Sequence, residues 1–148
     1  MERLSATADT DKASAVLLEF MSEMKGWENK FATLYERESG GPEAHASQAK
    51  IELEQIYDKY VTNRDRKYGR MASASAGWPP EFDPDAEEIV ATELINGQKV
   101  IFETLWTHPT AVPRYTERHR FTMLYQNGEW RLDRKETYSQ GKWAKRVL

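Results

Sequence analysis

The sequence predicts an α+β domain, with N-terminal helices laid on one face of an antiparallel sheet of about four strands. Three observations predict it. Apolar residues recur at three- and four-residue steps up to about residue 61, β-rich runs flank two Asn-Gly dipeptides beyond residue 87, and a proline-rich segment separates the halves. At 148 residues, with 39% hydrophobic and 30% charged side chains, the chain has the length of one domain and the apolar content for one core. We read 1–148 as a single domain: helices at about 11–61, an irregular segment at about 62–86, the sheet at about 87–139 and a tail at 140–148.

Over 11–38, Leu17, Phe20, Met21, Met24, Trp27, Phe31, Leu34 and Tyr35 fall on one stripe of a 3.6-residue helix. Asp9 or Thr10 suits its N-cap, and Ser39-Gly40-Gly41-Pro42 suits its end. Gly26 costs about 1 kcal/mol relative to alanine inside a helix, which makes it the place where this helix could bend or break. A second helix fits from Pro42 or Glu43 to about Val61, with the stripe Ala46, Ala49, Leu53, Ile56, Tyr57 and Tyr60. In the irregular segment, Trp78-Pro79-Pro80-Glu81-Phe82-Asp83-Pro84 carries three prolines, which preclude a helix and disfavour a central strand.

Strands are expected at 88–95 and 98–106 around Asn96-Gly97, and at 114–126 and 129–138 around Asn127-Gly128. Asn-Gly accepts the positive φ values of a type I′ turn, so each dipeptide predicts a hairpin. Alternation assigns the faces. Val100, Phe102, Thr104 and Trp106 share one face, as do Phe121, Met123 and Tyr125 with His119, Glu117 and Tyr115. Arg114, Thr116, Arg118, Arg120 and Thr122 point to water. On the last strand Trp130 and Leu132 share a face with Arg134, Glu136 and Tyr138. Tyr115, Glu117, His119, Arg134 and Glu136 are thus expected to line one cavity. Charges there need pairing or water, and Glu117 with His119 also has the makings of a carboxylate–imidazole acid/base pair.

Several chemistries are excluded or weak. Without cysteine there is no disulfide, thiolate zinc site, iron–sulfur cluster or cysteine nucleophile. His45 and His108 lack partners at metal-ligand spacing, and no metal or cofactor is expected. The loop Ser39-Gly40-Gly41-Pro42 lacks the phosphate-binding lysine, and Gly-x-Ser-x-Gly does not occur. No apolar run reaches the ~18–20 residues of a membrane helix, and the polar N-terminus implies no export, so a soluble cytoplasmic protein is expected.

Charge is placed unevenly. Residues 81–103 carry seven acids and one lysine, net −6, whereas residues 104–148 carry nine bases and four acids, net +5. The acidic block meets Trp78 and Phe82. Rings ringed by charge suit a protein interface, and they equally suit a plug that closes the sheet while carboxylates keep its rim wet. The basic end raises nucleic-acid binding, but the chain is net −3 overall and shows no RNA-binding motif, so that partner is disfavoured.

The run Tyr115-Thr116-Glu117-Arg118-His119-Arg120-Phe121-Thr122-Met123-Leu124-Tyr125, the Asn127-Gly128 turn and Glu129-Trp130-Arg131-Leu132-Asp133 resemble the closing strands of the nuclear-transport-factor-two-like (cystatin-like cone) superfamily. The resemblance implies helices packed into a strongly curved antiparallel sheet that leaves a cone-shaped cavity. Within that superfamily the layout is most similar to the bacterial toxin-immunity proteins. It implies a non-enzymatic protein that binds and neutralises a cognate polymorphic toxin. The proposed contact surface is Trp78, Glu81, Phe82, Asp83, Asp85, Glu87 and Glu88, to which a basic nuclease would be complementary. The alternatives are a small-molecule enzyme or ligand-binding protein using Glu117 and His119 in the cavity, and a homodimer formed through the open sheet face. The isomerase pattern of an isolated aspartate opposite a tyrosine donor is not evident.

Overall fold

A computed structural model describes residues 2–37, 46–63, 80–146 and 148. Two helices, α1 (Glu2–Arg37) and α2 (Ala46–Tyr60), precede five strands: β1 (Glu87–Asn96), β2 (Lys99–Thr107), β3 (Thr116–Gln126), β4 (Glu129–Ser139) and β5 (Lys142–Lys145). The strands form one antiparallel meander in the order β1-β2-β3-β4-β5. The α+β class and the helix-on-sheet layering are as the sequence predicts. Trp78, the end of the first helix at 39–42 and most of the irregular segment lie outside the described residues.

The first helix begins earlier than residue 11 and runs unbroken through Gly26. Leu17, Phe20, Met21, Met24, Trp27 and Phe31 are all buried, and their burial at about 1.5–3 kcal/mol each outweighs the glycine. From α2, Ala49, Leu53, Ile56, Tyr57 and Tyr60 face the same core. Trp27 Nε1 donates to the Ala49 carbonyl at 3.0 Å, which ties the helices together inside that core. The sheet contributes Val100, Phe102, Phe121, Met123, Trp130 and Leu132.

Turn chemistry decides two of the three hairpins. Asn127 (φ 53°) and Gly128 (φ 80°) make the expected left-handed pair between β3 and β4. Gln140 (φ 52°) and Gly141 (φ 81°) make a similar one, which folds most of the expected tail into β5. Leu148 then returns to the core. The Asn96-Gly97 hairpin departs from expectation. Asn96 pairs with Lys99, so the two-residue loop is Gly97-Gln98, and Asn96 has no positive φ. The Asn96 side chain instead accepts the Gln98 amide at 2.8 Å, an Asx turn.

One irregularity re-aims half of β4. Thr122 pairs with Arg134 but Met123 pairs with Leu132, so Asp133 is an extra, bulged residue. Its carboxylate takes the Thr62 hydroxyl at 2.7 Å, just beyond α2. Nearby, the Thr62 amide donates to the Leu132 carbonyl, and Arg131 donates to the Asp58 carbonyl at 2.6 Å, meeting the open end of α2. Every residue after Asp133 therefore changes face. Lys135, opposite Phe121, turns inward and is buried, whereas Arg134 and Glu136 turn outward.

Candidate functional site

The inner face becomes polar beyond Phe121. His119, buried on β3, has a carboxylate at each ring nitrogen: Glu87 at 2.7 Å from Nδ1 and Glu117 at 2.9 Å from Nε2. Both ring nitrogens therefore lie within hydrogen-bond distance of a carboxyl group. Glu87 is itself buried and accepts the Thr104 hydroxyl at 2.7 Å, while Glu117 accepts the Tyr115 hydroxyl at 2.8 Å. Burial alone would push the Glu117 carboxyl up. The hydrogen bonds from His119 and Tyr115, with the charges of His119 and Arg146, outweigh that and hold it below the usual range. The same hydrogen bond to Glu117 raises the Tyr115 hydroxyl.

The structure places Glu117 beside His119 and adds Glu87, which the sequence assigns to the contact surface, as a second partner of the ring. Each nitrogen of His119 is engaged by a carboxyl group, and Trp106 stacks beside the ring with Phe121 edge-on. Among the described residues, no three His, Cys, Asp or Glu side chains are grouped to hold a metal ion.

Arg134 and Glu136 do not join this cavity, because the Asp133 bulge has turned them to the outer face. There Arg120 donates to both oxygens of Glu136 at 3.0 Å, and this pairing, against a smaller effect of burial, lowers the Glu136 carboxyl. Beside it Arg118 pairs with Glu103 at 3.2 Å and lies over Tyr138, 4.3 Å from the ring centre. Arg120 lies 4.4 Å over Trp143, which packs edge-on against Tyr138.

The acidic segment divides into a plug and a rim. Phe82 is fully buried between Phe20 (centroids 5.0 Å apart) and Phe121 (6.5 Å), with the Lys135 ammonium 4.7 Å over its ring. Its amide donates to buried Glu28 of α1 at 3.3 Å. Phe82 is thus a closing residue of the core, not an exposed anchor. Asp83, also buried, holds Lys25 at 3.1 Å and accepts the Asp85 amide, and Glu81 lies 3.5 Å from Lys135. Asp85 and Glu88 remain exposed. From Val90 to Asn96 every residue of β1 is exposed, including Val90 (49%), Leu94 (38%) and Ile95 (45%). Sequence reasoning noted the acids and missed this bare apolar edge. Alternation alone does not reveal which strand lacks a cover.

Open hollows among the described residues accompany these surfaces. One, of about 600 Å³, lies at the far end of β3 and β4 beside β5, lined by Tyr115, Glu117, Arg118, Thr137, Tyr138 and Arg146 among others. Among the described residues, the Thr137 hydroxyl there is buried without a hydrogen-bond partner. Another, of about 340 Å³, is the groove between α1 and α2 near Gly26 and Ile56. Among the described residues no helix is long and apolar enough to cross a membrane.

Residues 12–147 match a family model described as NTF2 fold immunity protein. Immunity protein RhsIA of Dickeya dadantii (strain 3937) is 40% identical over 142 residues, spanning 93% of this chain and 96% of that protein. A solved structure of a protein of unknown function from Bacteroides thetaiotaomicron covers 88% of this chain and 98% of that one. Its 12% identity and TM-score of 0.33 carry no argument.

Proposed function

Because the chain belongs to the NTF2 fold immunity proteins, and so serves in toxin immunity, we propose that it neutralises a cognate toxin in the cytoplasm by direct association through the acidic β1 side of its sheet. One observation carries this reading: exposed Glu88 and Glu93 alternate with exposed Val90, Leu94 and Ile95 along β1, and exposed Asp85 lies in the turn just before it. Aliphatic surface supplies affinity once water is expelled, while the carboxylates speed and orient the approach of a positive partner. A basic nuclease domain is the complementary class. Glu81 and Asp83 brace this surface through Lys135 and Lys25, and buried Phe82 and Glu87 hold it from beneath. Homodimerisation by antiparallel β1–β1 pairing is disfavoured, since it brings two sets of carboxylates together.

The test is rescue of cells that express the toxin encoded beside this chain. Wild type should protect, and Glu88→Lys with Glu93→Lys should weaken binding at least about tenfold and abolish protection. Because both residues are exposed, unfolding free energy should stay within about 0.5 kcal/mol. Full protection by this double variant would remove the acidic side as the contact.

A second contact is favoured by the hollow at Tyr115, Glu117 and Thr137, whose lining includes the Thr137 hydroxyl, unpartnered among the described residues. A complex that survives the β1 reversal but is lost in Tyr115→Ala would move the interface there.

A further inference from the structure

We infer that the toxin is bound by strand addition: a short, basic, extended segment of it pairs with the free backbone rim of β1 and becomes the next strand of the sheet. This rests on the immunity reading above and names the mode of recognition at that surface.

The meander leaves β1 hydrogen-bonded to β2 alone among the described strands. On an edge strand, alternate amides and carbonyls point away from the sheet and seek partners. Proteins usually blunt such an edge by shortening it, placing lysine or proline on it, or covering it. β1 is ten residues long and contains no lysine or proline, and from Val90 onward it is uncovered on both faces. Three exposed aliphatic residues on a strand of this kind are an aggregation hazard unless a dedicated partner covers them.

What protection exists is selective. Register shifts at Val90 and Ile95 bracket the regular run Ala91–Leu94, so indiscriminate pairing along the whole edge is prevented and a short strand is admitted. Side chains then set identity. Glu93 lies on the outer face of the sheet with Glu88, and Thr92 and Leu94 lie on the inner face, opposite Phe102 and Val100. The added strand should therefore present Lys or Arg outward and small or β-branched residues inward, since cross-strand neighbours favour opposite charge and apolar contact. The start of β1 is already fixed by Glu87 to His119 and Thr104, so the rim is preorganised and little ordering opposes pairing.

The experiment is hydrogen exchange of the full chain, alone and with the toxin domain encoded beside it in inactivated form. Strand addition predicts that β1 amides between residues 90 and 95 not bonded to β2 exchange more than about tenfold more slowly in the complex. Glu93→Lys should weaken the complex at least about tenfold and remove that protection. A tight complex whose β1 amides exchange within about twofold of the free protein would overturn strand addition and leave the immunity reading intact. No complex with the wild-type chain would overturn both.

Discussion

The two edges of the sheet are built differently. β5 is four residues long and basic, and its one large ring, Trp143, packs on Tyr138 under the guanidinium of Arg120, with Arg118 over Tyr138. β1 is ten residues long and acidic, pinned at its start by Glu87, with aliphatic residues open to water beyond. Both are edges of one meander, yet only β5 carries the usual defences of brevity, lysine and covered apolar surface. The contrast separates an edge that ends the sheet from one suited to extend it.

The strongest way to break this comparison is to cut the pin. Glu87→Ala should leave buried His119 with one carboxylate and strand the Thr104 hydroxyl, lowering unfolding free energy by about 3–5 kcal/mol in urea titration. A loss below about 1 kcal/mol would mean that β1 is held by its ladder alone and is not fixed in advance. A smaller effect tests the other edge. Trp143→Ala should cost about 1 kcal/mol of stability through lost ring and cation contacts, while toxin affinity stays unchanged. Loss of toxin binding in a folded Trp143→Ala variant would exchange the roles of the two edges.

The smallest effect is a pH dependence at the hollow beside β5. Glu117 is held below its ordinary range in the folded chain. On acidification the unfolded chain takes up this proton first, so stability rises with pH through that window and is lost as pH falls through the folded value. Glu117→Gln should therefore flatten the decline of the melting temperature below about pH 5. An unchanged acid limb would show that Glu117 contributes no pairing energy at that end.

How much was legible depends on how local the cause is. The stripe from Leu17 to Phe31 and the turn at Asn127-Gly128 follow from spacing and dihedral preference within a few residues, and both were read correctly. Phe82 was ambiguous because a ring among carboxylates fits a rim as well as a plug. Only Phe20 and Phe121 on either side, with Glu28 beneath its amide, decide that it is core. β5 was missed because Gln-Gly is a weak hairpin signal and the strand is short.

The sequence by itself determined the two amphipathic helices, the run of hairpins, the asymmetry of charge and so the α+β class, because periodicity and turn chemistry act over a single turn or strand. The tertiary structure alone decided which charged residues meet. The Thr62 hydroxyl, 71 positions away, draws Asp133 out of the ladder, and this one displacement sends Arg134 and Glu136 outward and Lys135 inward. A contact between distant segments leaves no period in the chain from which the face could be read.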